Sequence, residues 1–97
     1  MEFEWDLQKA KRNYQKHRVD FSEASTVFGD TLSITFYDPD HSVEEDRFLI
    51  IGLSVQGREL IVSHTDREDK VRIISAREVT HNEGKLYESK SRNATGR

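Results

Sequence analysis

Cysteine is absent from the 97-residue chain, which excludes disulfides and thiolate metal sites alike. Long apolar runs are absent too. The longest, "FLIIGL" at 48–53, falls far short of the ~20 residues that a membrane-spanning helix needs. The opening "MEFEWD" is acidic and lacks the basic-then-apolar order of a signal peptide, so a soluble cytoplasmic protein is expected. Proline occurs once, at Pro39, and there is no internal repeat or low-complexity tract. Net positive charge is missing as well: at −3 the chain offers no bulk attraction for a nucleic acid.

What the chain does have is charge and pattern. Charged and apolar residues each make up 34%, and mean hydropathy is −0.81. The apolar residues fall in periodic runs, which implies a folded domain under a charged surface, not a disordered chain. Ninety-seven residues suit one domain, with no room for a large buried substrate cavity. That domain is expected over 1–88, followed by a polar tail, 89–97. The charge is uneven. Residues 1–52 carry 6 Lys/Arg against 11 Asp/Glu, and 53–97 carry 9 against 7. Acid is concentrated in "DPDHSVEED", 38–46, so a basic site could exist only locally.

Asp6 can cap a first helix reaching about His17, with Leu7, Ala10 and Tyr14 as its apolar stripe. Lys9, Arg12 and Lys16 repeat on the opposite face. Asp20 and Glu23 suggest a second, short helix that Gly29 ends. From Thr31 the period becomes two, with Leu32, Ile34 and Phe36 alternating as in a strand with one wet face. "RFLIIGLSV" is apolar on both faces and reads as an interior strand. "QG" at 56–57 suits a two-residue hairpin turn into "RELIVSHT", and "DRED" turns the chain into "KVRIIS". Ser75 and Glu78 have the spacing of a capping box, which predicts a last helix from Ala76 to about Glu88 with Arg77 in its first turn. Gly84 would sit unfavourably in that helix. The resulting fold class is α+β: an antiparallel four-stranded sheet with two N-terminal helices and one C-terminal helix, in the order α-α-β-β-β-β-α.

"FEWDLQKAKRNYQKHRVDFSEASTVF", then "HSVEEDRFLIIGLSVQGRELIVSHTDREDKVRIISAR", then a Glu and Tyr in the last helix, resemble the BrnT toxin family in register from Phe3 to Tyr87. The resemblance implies a bacterial toxin of a type II toxin–antitoxin pair with a RelE-like ribonuclease fold. It implies RNA cleavage that inhibits translation, and neutralisation by a DNA-binding BrnA-type antitoxin in a 2:2 heterotetramer. In that family glycine usually follows "KH", where this chain has Arg18. The last helix is also usually more basic than "THNEGKLY".

A ribonuclease of this kind would need no metal or other cofactor. It must deprotonate a 2′-OH, stabilise a pentavalent phosphate and protonate the leaving oxygen. The catalytic candidates are Arg72, Arg77, His17, Arg67 and Tyr87. A strand-borne Arg72 and a helix-start Arg77 beside free N–H groups would form a phosphate clamp. Alternatively, Arg72 lies on a wet sheet face and Arg77 pairs with Glu78 or the acidic loop. His17 could move a proton, since histidine is the side-chain type that does so near neutral pH, or could simply end its helix. Tyr87 could stack a base or pack in the core. Lys9, Arg12, Lys16 and Arg58 are candidates for tracking the RNA backbone, or else solvated surface. Glu45 and Arg47 are expected to support the site's arginines. Trp5 reads as core, between Phe3 and Leu7.

Asp38, Asp40, His41, Glu44 and Glu45 match no standard metal-ligand spacing. His64 and His81 match no motif and read as surface or strand residues. Two rival readings remain: a non-catalytic domain that only binds its antitoxin or RNA, and a metal-dependent nuclease using the acidic loop.

Overall fold

A computed structural model describes residues 1–95, with side chains described through residue 90. The order is β1 (Glu2–Glu4), α1 (Leu7–His17), α2 (Phe21–Thr26), β2 (Ile34–Tyr37), β3 (Phe48–Leu53), β4 (Glu59–Arg67), β5 (Lys70–Glu78) and α3 (His81–Thr95). One turn of 3-10 helix, Val27–Gly29, follows α2, and another, Pro39–His41, lies in the acidic loop. The sheet therefore has five strands, in the order β1-β5-β4-β3-β2. It is mixed, not the expected antiparallel four: β1 runs parallel to β5, pairing Glu2, Phe3 and Glu4 with Lys70, Val71 and Arg72.

The first two helices start where the carboxylates predict. Asp6 Oδ1 accepts the Lys9 N–H at 3.0 Å, and Asp20 Oδ1 accepts that of Glu23 at 2.7 Å. The buried stripe of α1 differs from expectation. Leu7 is 79% exposed and Tyr14 45%, while Asn13 is buried. The cause is an uncovered strand edge. Beyond Arg72, β5 has no neighbour on β1's side, and Asn13 takes a strand's place there. Its Nδ2 donates to Ala76 O (2.8 Å) and Val19 O (2.9 Å), and its Oδ1 accepts the Ala76 N–H (3.1 Å). Buried backbone groups must find partners, and this requirement fixes the helix rotation more firmly than a stripe of apolar residues could. Arg18 ends α1 in the left-handed region, φ 59°, its N–H bonded to Tyr14 O and its guanidinium 5.4 Å from the Tyr14 ring centre. A glycine would take that backbone conformation without strain.

The helix after β5 begins later than expected. β5 runs through Ser75 and Glu78 because β4 is long enough to pair with it, Leu60 opposite Glu78 and Ile61 opposite Arg77. The capping box is Thr80-His81-Asn82-Glu83: Glu83 Oε1 accepts the Thr80 N–H (2.8 Å) and Thr80 Oγ1 accepts that of Glu83 (3.3 Å). Helix α3 then continues to Thr95, past the expected end at Glu88; Gly96 and Arg97 lie outside the described residues. Gly84 is in α3's first turn, where a Cβ would stand 3.3 Å from Glu59 Oε1. Residues 54–58 connect β3 to β4, and the Ser54 N–H bonded to Arg58 O closes a three-residue turn, not a two-residue one. Ser54 O accepts the Gly57 N–H, and Gly57 then takes φ 83° to enter the ladder.

The sheet separates two apolar clusters. The larger lies under α1 and α2, with Phe21, Val27, Leu60, Val62 and Ile73 at its centre and Trp5 packed edge-on to Phe21. The smaller joins Ile51 and Ile61 to Tyr87 of α3 on the other face. Trp5 is half-buried and packs against the larger cluster.

Candidate functional site

Sorting the cations by their partners divides the candidates into two kinds. Arg58 is fully engaged. Its Nε donates to Glu23 Oε2 (3.0 Å), its Nη2 to Glu23 Oε1 and Arg18 O, and its Nη1 to Glu78 Oε2 (3.2 Å). Glu23 is buried and also accepts from Ser54 Oγ at 2.7 Å. The Arg58 hydrogen bonds hold the Glu23 carboxyl below the usual range, and Glu23 in turn raises the Arg58 pKa. This pair braces α2, the β3–β4 hairpin and the end of β5.

Arg77 is engaged as well. It stands on the α3 face of β5, not at a helix start, and grips Glu83 through both Nη atoms, at 2.8 and 2.9 Å. Glu83 is lowered to about 2, first by Arg77 and then by the capping bonds of Thr80. Tyr87 is 8% exposed and donates its hydroxyl to Asp30 Oδ2. Burial pushes the Asp30 carboxyl up, but bonds from Tyr87, Leu53 N–H and Leu32 N–H outweigh it and leave the pKa lowered. Arg72 is half-buried and meets Glu4 at 3.2 Å. Five residues of strand, roughly 16 Å at ~3.3 Å each, separate Arg72 from Arg77. They do not form one clamp: Arg77 is held by Glu83 at the start of α3, and Arg72 lies near the start of α1.

The second kind is free. Lys9, Lys11, Arg12 and Lys16 of α1 are exposed, and none has an ion pair among the described residues. Lys9, Arg12, Lys16 and half-buried His17 share a shallow groove with Asn13 and Ile74. Ile74 is the residue bulged out of the β4–β5 register, just beside the open edge of β5. Arg72 lies near the other end of this helix, since it contributes to lowering the pKa of Asp6 after the Lys9 and Gln8 hydrogen bonds.

A second recess sits at the strand ends. Arg67 and Arg47 line a cleft of about 660 Å³ with Asp40, His41, Val43, Glu44 and Glu45. Arg67 is exposed and has no ion pair among the described residues. Glu45 and Arg47 face each other at 3.5 Å. The acidic loop does not gather ligands: His41 is taken by Asp38 at 2.8 Å, and the described residues contain no group of three His, Asp or Glu placed to hold a metal. His81 starts α3 and is exposed, but His64 is buried between Phe28 and Phe48, where burial lowers its pKa.

Sequence reasoning passed over Asn13, Glu23 and Glu83 as anchors. The T-x-x-E spacing of Thr80 and Glu83 was a usable signal; Glu23 was read only as part of a helix start with Asp20, and nothing local marked Asn13.

The fold and these surfaces define a small α+β domain that is acidic overall yet carries, along one helix, a strip of cations with no ion pair among the described residues. Residues 5–83 match the family described as "Ribonuclease toxin, BrnT, of type II toxin-antitoxin system", and the chain belongs to that family. The crystal structure of the Brucella abortus ribonuclease toxin BrnT shares the fold, with a TM-score of 0.64 at 21% identity, over 84% of this chain and 99% of that one. No curated protein matches the chain. Family membership implies an RNA substrate and an antitoxin partner.

Proposed function

We propose that the chain is a metal-independent endoribonuclease that arrests translation and growth, and that a DNA-binding BrnA-type antitoxin neutralises it in a 2:2 assembly. The observation carrying this reading is the groove in which Lys9, Arg12, Lys16 and His17 stand together, none of them in an ion pair among the described residues. In a chain of net charge −3, a cluster of unpaired cations favours a polyanion locally.

The roles follow from position. Lys9, Arg12 and Lys16 hold successive phosphates of a single strand. His17 takes or gives the proton at the scissile phosphate, a contribution of typically 10²–10⁴-fold. Arg12 and Lys16, in the same groove, stabilise the extra charge of the pentavalent phosphate. Arg72 sits near the start of α1, roughly 15 Å from His17 at ~1.5 Å per helical residue, so it grips a flanking phosphate. Arg67, with Glu45 and Arg47 behind it, extends the track at the strand ends. Arg58, Arg77 and Tyr87 act through support: each holds an element in place through Glu23, Glu83 or Asp30.

One observation favours the non-catalytic alternative, in which the chain only binds its antitoxin or RNA. Arg58, Arg72 and Arg77 are all occupied by carboxylates, and Tyr87 is buried. Incubating the purified chain with RNA in excess EDTA separates the readings. Fragments ending in 2′,3′-cyclic phosphate, with a loss of at least 10²-fold in the His17→Gln variant, are the expected result. Cleavage that requires added metal would transfer the chemistry to the acidic loop. Intact RNA under both conditions, with ribosomes included, would leave the binding-only domain.

A further inference from the structure

Among the described residues the sheet has three stretches of edge without a neighbouring strand, and two of them are blunted. β1 carries Glu2 and Glu4, paired with Lys70 and Arg72, and the outer edge of β5 is clamped by Asn13. Charges and covering groups of this kind keep edges from recruiting other strands. The third edge, β2, reads "ITFY" and has neither a charge nor a proline. Its last three residues, Thr35, Phe36 and Tyr37, are exposed.

The register fixes which backbone groups it offers. Asp38 N–H donates to Arg47 O at 2.9 Å, so hydrogen-bonded pairs alternate back along β2 at Phe36–Leu49 and Ile34–Ile51. Thr35 and Tyr37 therefore turn their N–H and C=O groups outward. Phe36 and Tyr37 project to opposite faces, 37% and 48% exposed, and would flank an added strand on both sides. A strand extending past Tyr37 meets the acidic loop, with Asp38, Asp40, Glu44, Glu45 and Asp46 against only His41 and Arg47.

We propose that the outer edge of β2 docks the antitoxin, taking an extended, lysine- or arginine-bearing segment of that protein as a sixth strand. This rests on the reading of the chain as the toxin of a pair. Main-chain bonds supply affinity, and the acidic loop selects a basic segment. The same loop disfavours a second copy of this chain, which would bring its own acidic loop and a net charge of −3 to the contact. The edge is separate from the α1 groove, so this contact anchors the antitoxin and leaves the cations of α1 to be covered by other parts of it.

The test is residue-resolved amide exchange on the chain alone and in complex with a co-expressed BrnA-type antitoxin. Thr35 and Tyr37 should exchange at least tenfold more slowly in the complex. Thr35→Pro removes an outward N–H without touching the β2–β3 bonds, and should weaken binding at least tenfold with circular dichroism and RNA cleavage unchanged. The Asp40→Lys/Glu44→Lys variant should also weaken it, most at low salt. Unchanged exchange at both amides within a stable complex overturns the proposal, as does full affinity in a folded Thr35→Pro variant. Protection of these amides in the chain alone at high concentration would give the edge to a second copy and overturn it too. Absence of any complex beside intact RNA cleavage sinks the docking strand and spares the ribonuclease; a protected edge without cleavage does the reverse.

Discussion

Replacing Glu83 by glutamine asks whether Arg77 is a tether or a hand held out to RNA. Glu83 receives Arg77 at 2.8 and 2.9 Å and the Thr80 N–H at 2.8 Å, so it ties β5 to the start of α3. Its pKa falls from 4.5 to about 2, and Arg77 is the first cause. At ~1.36 kcal/mol per pH unit that fall is equivalent to about 3 kcal/mol. The Arg77 side chain is 40% exposed, however, and solvent screening reduces the expected loss to about 1–2 kcal/mol. For a domain of this size that is a fall in Tm of roughly 5–10 °C. The sign with pH is definite. A carboxyl with a depressed folded pKa contributes its stability above its unfolded value, near 4.5, and loses it as pH falls through about 2. Urea denaturation of both proteins at pH 7 and at pH 2.5 should therefore show a deficit for Glu83→Gln at neutral pH that shrinks in acid. An equal deficit at both pH values would refute the ion-pair account. If Arg77 instead served RNA directly, freeing it would strengthen RNA binding with little loss of stability, and the tether would be the wrong description.

Three further outcomes are expected. Changing Lys9, Arg12 and Lys16 together to alanine should leave denaturation unchanged and lower the log–log salt slope of RNA binding by about 2, since each single-strand phosphate contact contributes ~0.7; an unchanged slope would remove RNA from α1. Asn13→Ala leaves Ala76 N–H and C=O buried without partners, and should cost about 2–4 kcal/mol in chemical denaturation, far more than an exposed helical Asn→Ala change. Arg18→Gly relieves a left-handed non-glycine residue but gives up the contact with the Tyr14 ring, so a net gain of about 0.5 kcal/mol is expected in the same assay.

The sequence made some of this legible and hid the rest, and the dividing line is the distance to a residue's partner. Asp6 and Asp20 cap helices using N–H groups three residues away, so their pattern alone was sufficient. Ser75–Glu78 and Thr80–Glu83 show the same spacing, yet only the second is a capping box. The choice falls to β4, whose pairing with β5 as far as Glu78 keeps Ser75 in the sheet. β1 is only three residues, Glu2-Phe3-Glu4, and has no periodicity to read; the strand it pairs with, Lys70 to Arg72, lies 68 positions away. The cations obey the same division. Spacing placed Lys9, Arg12 and Lys16 on one helix face, and the structure puts them with His17 in one groove. Whether an arginine is available to a phosphate is settled by carboxylates far along the chain: Arg58 by Glu23, 35 residues back, and Arg72 by Glu4. In this chain Arg58, Arg72 and Arg77 are bound to acid, while Arg67 and the plain repeat of an exposed helix stand outside any ion pair among the described residues. A search for the RNA site should therefore begin at α1, where a phosphate would have no ion pair to break among the described residues.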